Sequence, residues 1–286
     1  MYLMFFHLLL APLAHAAIVV QDDTGRRVSV AEPAQRIVSL APHVTELLFA
    51  VGAGALIVGT PEYSDYPEDA KRIPRIGNAS GLDLERIAAL RPDLIVAWQS
   101  GNPSWVLDRM LRSNMTIFLS EPHKIEDIAT TIERLGLLTG KAEVARQASQ
   151  RFRERYRSLQ SRYAQREPVT VFYQVWSDPL MTINNAHLIS AVIRLCGGVN
   201  VFADLPLLVP RISVEAVLQA QPQVIVAAGA KDSRALVSWR KWTQLPAVRK
   251  GNLFLVPYEE IARHTPRVLD GAERLCSAFD QARGAR

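Results

Sequence analysis

Apolar and polar positions along this 286-residue chain alternate between two patterns. Short apolar runs, which are typical of buried strands, alternate with stretches whose apolar residues recur every three or four positions, which predict amphipathic helices. The runs predict strands over 37–40, 56–59, 116–119, 169–175 and 253–256, and the spaced stretches predict helices over 44–53, 105–112, 125–138, 187–195, 238–244 and 266–282. This alternation predicts an α/β protein whose mostly parallel sheets carry helices on both faces.

One helix–proline–strand module occurs twice in the chain. Residues 82–98 align without a gap to residues 212–228, and this alignment pairs Glu85 with Glu215. Two copies predict two similar lobes with a crevice between them. Each glutamate lies in the first turn of its predicted helix, where a carboxylate complements the helix dipole. The duplication in register favours a second role, in which one acid per lobe engages basic pockets on a roughly two-fold partner.

The segment 141–167 differs from the rest of the chain because it has no Gly or Pro and is rich in Ala, Gln, Glu and Arg. This composition and its continuous apolar stripe predict one helix of about 26 residues and ~39 Å. We therefore divide the chain into a signal peptide (1–17), an N-terminal lobe (18–140), the helix joining the lobes and a C-terminal lobe (168–286). A single connecting helix predicts limited closure of the lobes rather than a wide hinge motion.

The N-terminus and the cysteines point to an exported protein. Met4 to Leu13 is largely apolar and leads into Ala14-His15-Ala16, a cleavage pattern of secretory signal peptides, although a basic n-region is missing. No later apolar run approaches the ~20 residues needed to span a bilayer. The two cysteines, Cys196 and Cys276, are then a candidate disulfide, with two buried free thiols as the alternative.

Charge and motifs argue against several function classes. The formal net charge is +5, without a basic run interleaved with aromatics of the kind that nucleic-acid grooves use. The segment 136–142 is one residue short of a P-loop and lacks its Ser or Thr. The histidines have no zinc-ligand spacing. We therefore expect a protein that is not an enzyme and has neither a metal site nor a nucleic-acid partner.

Candidate ligand-binding residues follow the predicted strands, because ligands of open α/β sheets bind beyond the carboxyl ends of the strands. The residues at these places are His43, Tyr63 and Trp98 in the first half, and Trp176, Glu259 and Arg263 in the second. Aromatic faces with a few polar groups suit a large, flat, partly apolar ligand. The alternative for each aromatic residue is ordinary packing in a core or loop.

Several stretches resemble the periplasmic substrate-binding proteins whose lobes are joined by a helical backbone, and within them the cobalamin-binding members of ABC importers. These stretches are 36–50, Tyr63-Ser-Asp-Tyr-Pro67, the two modules, 195–200 and Arg263-His-Thr-Pro-Arg267. The resemblance runs from about residue 36 to residue 276. It implies a soluble periplasmic protein, with cobalamin or a related corrinoid as transported ligand rather than cofactor, and the permease of an importer as partner. We expect it to act as a monomer.

The resemblance also implies individual roles. Tyr63, Trp98 and Arg263 match residues that line a corrinoid pocket. Glu85 and Glu215 match glutamates that dock on permease arginines. The family's disulfide corresponds to Cys196 and Cys276.

The chain departs from the cobalamin-binding pattern at two pocket positions. Ala79 and Val209 stand where tryptophans are expected, and Trp176 is a candidate to replace part of their aromatic surface. Glu259 stands where a pocket aspartate is expected. Haem or an iron–siderophore is the alternative ligand, since Tyr63 or His43 could serve as an axial ligand to iron.

Overall fold

The structure is a computed structural model that describes residues 17–78, 81–113, 115–229 and 234–284. Its strands are β1 (Ile18–Gln21), β2 (Arg27–Val30), β3 (Ile37–Ser39), β4 (Ile57–Gly59), β5 (Gly77–Asn78), β6 (Gly81–Leu82), β7 (Leu94–Trp98), β8 (Ile117–Ser120), β9 (Val169–Gln174), β10 (Trp176–Ser177), β11 (Leu180–Met181), β12 (Gly198–Asn200), β13 (Val224–Ala228) and β14 (Leu253–Val256). Its helices are α1 (Pro42–Ala50), α2 (Leu84–Ala89), α3 (Ser104–Leu111), α4 (Ile125–Leu138), α5 (Ala142–Tyr163), α6 (Leu188–Leu195), α7 (Val214–Ala220), α8 (Pro246–Arg249), α9 (Tyr258–Ile261) and α10 (Val268–Gly284), with 3₁₀ turns at Gly54–Leu56, Glu68–Arg72 and Val237–Lys241.

The two lobes are built on parallel sheets with the same strand order. The N-terminal sheet runs β4-β3-β7-β8 and the C-terminal sheet runs β12-β9-β13-β14. All the pairings within these two sheets are parallel. The duplicated modules supply β7 and β13, so each module occupies the third position of its sheet. The predicted pair of α/β lobes is therefore confirmed.

The two modules also share their backbone geometry. The side chains of Asp83 and Ser213 each accept a hydrogen bond from the backbone N–H three residues later, at 2.9 Å and 3.2 Å, and so cap α2 and α7. After these helices, Arg91 and Gln221 adopt left-handed φ angles of 45° and 47°, directly before the proline of each module. The sequence repeat thus reflects a repeat of one structural unit, including the left-handed residue before each proline.

The long helix α5 connects the lobes and is tied to both of them. Arg153 pairs with Glu126 and Glu133 of α4, on the N-terminal side. Arg155 pairs with Asp270 at 2.7 Å and Glu273 at 3.0 Å, both on α10 of the C-terminal lobe.

The helix α5 is shorter than predicted, because it ends at Tyr163 rather than at residue 167. Residues 164–166 form a turn, and Pro168 follows closely. A proline disfavours helical backbone in the residue before it, so a helix ends ahead of the proline.

The hydrophobic core between the lobes is continuous. One buried cluster includes Leu47 of α1, Ile132 of α4, Phe152 of α5, Ile193 of α6 and Phe279 of α10. Separate cores lie beneath α2 and α7 on the outer faces of the two sheets. A core that both lobes share favours the limited closure predicted from the single connecting helix.

Several elements differ from the sequence predictions. The hairpin β1–β2 was not predicted; it covers the edge of β8, where the backbone N–H of Asp23 donates to the carbonyl of Leu119 at 3.1 Å. The helix predicted over 238–244 is a 3₁₀ turn, Val237–Lys241. The last helix begins at Val268 rather than at Pro266.

The predicted disulfide is present, since Cys196 and Cys276 are joined and link the end of α6 to α10. Residues 1–16, which make up most of the predicted signal peptide, lie outside the described residues, as does Ala79. In the part of the chain that the structure describes, no helix has the length and apolar character needed to cross a membrane.

Candidate ligand-binding cleft

Residues that follow strands of the two sheets come together where the lobes meet, and we call this region of contact the floor of the candidate cleft. His43 follows β3 in the N-terminal lobe, and its ring centroid lies 5.5 Å from that of His264, which follows β14 in the C-terminal lobe. Beside this contact, Arg263 of the C-terminal lobe donates to Glu46 of α1. The residues placed after the strands therefore meet in space although they are far apart in sequence.

An ion cluster of Glu46, Asp65, Arg263 and Arg267 joins the lobes at the cleft floor. Only 3% of the Glu46 side chain is exposed, and its carboxylate accepts from Arg263 at 2.7 Å and from Arg267 at 2.7 and 2.9 Å. Asp65 accepts a further bond from Arg263 at 2.9 Å. A buried carboxylate is tolerated where such partners compensate it. Burial lowers the pKa of Arg263, but its bonds to Glu46 and Asp65 outweigh that effect and raise it overall.

The predicted pocket residues Arg263 and Tyr63 contact each other across the lobes. Arg263 donates to the backbone carbonyl of Tyr63 at 3.0 Å, and Arg75 holds the same loop by donating to the carbonyls of Pro61 and Ser64. Tyr63 has a left-handed φ of 66°, which is unfavourable for a residue with a bulky side chain. Its ring is 76% exposed, so the loop presents an aromatic face to solvent.

A ring cluster of His43, Trp98 and His264 lies at the contact between the lobes. Their ring centroids are 5.0, 5.5 and 6.0 Å apart, in edge-to-face arrangements. Asn102 accepts from the backbone N–H of Trp98 at 2.7 Å and donates to the carbonyl of Leu40 at 2.8 Å, which ties the ends of β7 and β3 together. A Cβ on Gly101 would lie 1.9 Å from the indole of Trp98. The observed position of the indole leaves no room for a Cβ on residue 101, so this residue has to be glycine.

The ring cluster carries no charge at neutral pH. Burial, with His264 and Arg263 nearby, holds the pKa of His43 well below its ordinary value of 6.5. Burial, followed by the neighbouring His187 and His123, lowers the pKa of His264 to about 4. Because desolvation penalises the charged imidazolium, both rings are neutral at pH 7.

Trp176 and Glu259, the other predicted ligand residues, are exposed at the carboxyl edge of the C-terminal sheet. Trp176 lies in the β10–β11 hairpin, is 61% exposed, and donates from Nε1 to the carbonyl of Asp178 at 2.8 Å. Glu259 lies in the first turn of α9, beside the exposed ring of Tyr258. The structure thus brings His43, Trp98 and Arg263 together on the floor, and leaves Trp176 and Glu259 in contact with solvent.

The paired glutamates are exposed in the first turns of α2 and α7. A helix that leads by a tight turn into a parallel strand runs back along the sheet. The N-termini of α2 and α7 therefore lie toward the carboxyl edges, on the cleft side of each lobe. A hydrogen bond to its own backbone N–H and another to Ser213 lower the pKa of Glu215.

Four residues of the cleft floor were not predicted from the sequence: Glu46, Asp65, Arg267 and His264. Glu46 carried a usable signal, because it is the one ionisable carboxylate in the otherwise mostly apolar helix Pro42–Ala50. A charge within a buried helix requires a compensating partner. The identity of that partner depends on how the lobes dock, which local sequence does not encode. No group of three or more His, Cys, Asp or Glu side chains is disposed to hold a metal ion in the ranges that the structure describes.

Comparisons with known proteins match most of the chain. The sequence profile of a family described as periplasmic binding protein matches residues 37–260. A vitamin B12-binding protein of Vibrio cholerae is 39% identical over 246 residues, which cover 86% of this chain and 89% of that protein. The crystal structure of the periplasmic vitamin B12 binding protein BtuF of Vibrio cholerae gives a TM-score of 0.82 at 38% identity, covering 88% of this chain and 98% of that one. The periplasmic heme-binding protein RhuT from Roseiflexus sp. RS-1 gives a TM-score of 0.76 at 23% identity, covering 87% and 99%, a likeness of fold alone.

Proposed function

This chain belongs to the periplasmic binding protein family, as its sequence predicted, and from that premise we propose that it captures cobalamin or a related corrinoid and delivers it to the permease of an ABC importer. The observation that carries the proposal is the similarity to vitamin B12-binding proteins along most of both chains. The cleft adds a physical reason, since aromatic rings beside a few compensated polar groups suit a large, flat, partly apolar ligand.

In this proposal the predicted residues divide into floor and rim. Trp98 and His43 form the floor against which the macrocycle rests. Tyr63 and Trp176 contribute exposed aromatic faces at the rim, with Glu259 as a polar neighbour. Arg263 acts from within the ion cluster, where it holds the Tyr63 loop while it contacts the ligand.

Family membership makes the chain a solute-binding component of a transporter, without a reaction of its own. We further propose that residues 1–17 are removed on export and that the mature protein acts as a periplasmic monomer without a nucleic-acid partner. Its units would be the lobes 18–140 and 168–286, joined by the segment 141–167.

Calorimetric titration of the mature protein tests the ligand. Cyanocobalamin and cobinamide are expected to bind at one site per chain, with micromolar or tighter affinity, whereas haemin and a ferric siderophore are not. Absorbance spectra separate these ligand classes, because a corrinoid, a haem and a ferric chelate absorb at different wavelengths. If neither corrinoid binds near micromolar concentration, the assignment fails. Tight binding of haemin alone would favour the alternative, with neutral His43 or Tyr63 as axial ligand.

Transport by the double variant Glu85→Lys/Glu215→Lys tests the docking role. Reversing both exposed charges is expected to abolish uptake of cobalamin in cells while leaving its affinity for the purified protein unchanged, because charge complementarity orients the partner. Glu143→Lys, at an exposed position on α5, is the matched control and should transport normally. Normal uptake by the double variant would rule the docking role out.

A further inference from the structure

Unpaired buried polar atoms of this protein are concentrated at one place. In the ranges that the structure describes, four buried side-chain N or O atoms lack a hydrogen-bond partner: His43 Nε2, Trp98 Nε1, Ser120 Oγ and His264 Nδ1. Three of them belong to the ring cluster, and Ser120 is the register partner of Trp98 on the adjacent strand β8. These four atoms are called the unpaired floor atoms below, and the residues that carry them are neighbours near the carboxyl edge of the N-terminal sheet.

Unpaired buried polar groups are costly, so folded proteins retain few of them, and each one calls for a physical reason. The neighbouring buried hydroxyl groups of the same lobe are satisfied. Thr45 Oγ1 lies 2.9 Å from Ser39 Oγ, 2.6 Å from Thr60 Oγ1 and 3.2 Å from Ser64 Oγ. The buried hydroxyl groups near the ends of β3 and β4 therefore have hydrogen-bond partners. Trp98 Nε1 and Ser120 Oγ, at the ends of β7 and β8, have none. These atoms are buried, so a ligand group would supply the missing partners where the surrounding side chains move to admit it.

The chemistry of the unpaired floor atoms defines that group. The indole N–H of Trp98 can only donate, the Ser120 hydroxyl can donate or accept, and each neutral imidazole nitrogen does one or the other according to its tautomer. The set has both donors and acceptors and no charge. The guanidinium of Arg263 is already engaged by Glu46 and Asp65. An uncharged group that both donates and accepts fits this set, while a carboxylate would find no cation whose charge is not already compensated.

We propose that the unpaired floor atoms form a subsite for a carboxamide and select it over a carboxylate. This inference rests on the proposed function. A corrin ring carries primary amides on its periphery, whereas haem carries propionate carboxylates. The subsite therefore makes the cleft floor a point of discrimination between these macrocycles, in addition to the aromatic contacts, which either would make.

The first test changes the ligand and leaves the protein intact. Calorimetry at pH 7 compares cyanocobalamin with its monocarboxylic acid derivatives, in each of which one peripheral amide is hydrolysed to the acid. The derivative whose acid replaces the amide on the floor is expected to bind about tenfold more weakly or worse, because a charged group would lack a partner there. Derivatives altered elsewhere should bind as cyanocobalamin does. If every derivative binds as tightly as cyanocobalamin, the subsite is refuted.

The second test removes three of the four unpaired floor atoms, one at a time, by Ser120→Ala, His43→Leu and His264→Leu. Each variant is expected to bind cyanocobalamin about five- to tenfold more weakly and to lose part of the preference for amide over acid. Since Ser120 Oγ has no partner within the protein, Ser120→Ala should leave the thermal stability of the ligand-free protein unchanged or higher. A merely structural role predicts the reverse, a lower stability with unchanged affinity. Glu143→Gln, at an exposed position on α5, is the control and should bind normally.

The outcomes separate the subsite from the proposed function. If the wild-type protein binds no corrinoid, both fail. If it binds cyanocobalamin but shows no preference for amide over acid, and the variants bind normally, the subsite alone fails.

Discussion

The side chain of Glu46 links the two lobes by pairing with two arginines of the opposite lobe. Its carboxylate is almost completely buried in α1, and both of its partners, Arg263 and Arg267, come from the opposite lobe. Arg267 also stacks on the ring of Tyr66, with its guanidinium carbon 4.0 Å from the ring centroid. Bonds to a buried charge cannot be exchanged for water without opening the cleft, so this residue couples the stability of the protein to the contact between its lobes.

Glu46→Leu is therefore expected to lower the free energy of unfolding by about 3–5 kcal/mol, because it leaves two buried guanidinium groups without their shared partner. Urea denaturation measures this change. The control is Glu143→Leu, which breaks an exposed pair with Arg146 and should change the free energy of unfolding far less, because solvent screens exposed pairs. Equal, small effects of the two substitutions would show that Glu46 is not a buried structural charge.

Gly101→Ala is expected to displace the indole of Trp98, since the added Cβ would lie 1.9 Å from it. Overpacking of this kind costs roughly 1–3 kcal/mol. Near-ultraviolet circular dichroism should report a changed tryptophan environment, and calorimetry should show cobalamin affinity falling by about tenfold. Gly284→Ala, where an added Cβ meets nothing within 4 Å, serves as the control. An unchanged spectrum and affinity would mean that the indole is not fixed as described.

At the scale of elements, regular periodicity predicted the long helices and strands well. The helix α4 has the predicted bounds, 125–138, because its apolar spacing is regular and Gly140 follows it. The paired modules were also predicted, since each contains a capped helix, a proline and an apolar strand. The hairpins β1–β2 and β10–β11 were not predicted. Strands of two to four residues are too short to establish a period.

The disulfide between Cys196 and Cys276 joins two helices, because it links α6 to α10 across a sequence separation of 80 residues. A double variant, Cys196→Ala/Cys276→Ala, is expected to lose about 4 kcal/mol of unfolding free energy, since the closed loop restricts the unfolded chain. Calorimetric melting of the wild type with and without reductant should show the same loss, while the variant should not respond to reductant. Cobalamin affinity should stay near the wild-type value, because both sulfurs lie in the core of the C-terminal lobe. Melting that is insensitive to reduction would contradict this role.

At the scale of the whole molecule, the cleft was only partly predictable. The strand-end rule placed His43 and Trp98 correctly at the carboxyl edge of one sheet. It could not pair His43 with His264 or Glu46 with Arg263, because these contacts depend on how the two lobes dock. The continuous core behind the cleft fixes that docking, and it is formed by helices from both lobes.

The neutral histidines between the lobes predict how stability depends on pH. The pKa values of His264 and His187 are lowered to about 4 from 6.5, chiefly by burial, so between these values the unfolded chain binds protons that the folded protein does not. Stability should be insensitive to these groups above pH 6.5. It should then decrease as the pH falls toward 4, by up to about 1.4 kcal/mol per pH unit for each histidine, and the decrease should level off below that. Urea midpoints for the wild type and His264→Gln at pH 7, 5.5 and 4.5 measure the contribution of His264. Parallel pH profiles for the two proteins would contradict it.

A crystal structure of the complex with cyanocobalamin would show whether the cleft between the two duplicated lobes holds one corrinoid. We predict one corrinoid between the carboxyl edges of the two sheets, in contact with Trp98 on the floor and Tyr63 at the rim, with little rotation of one lobe against the other. A corrinoid bound outside the cleft, or bound within it without touching either aromatic residue, would contradict the account.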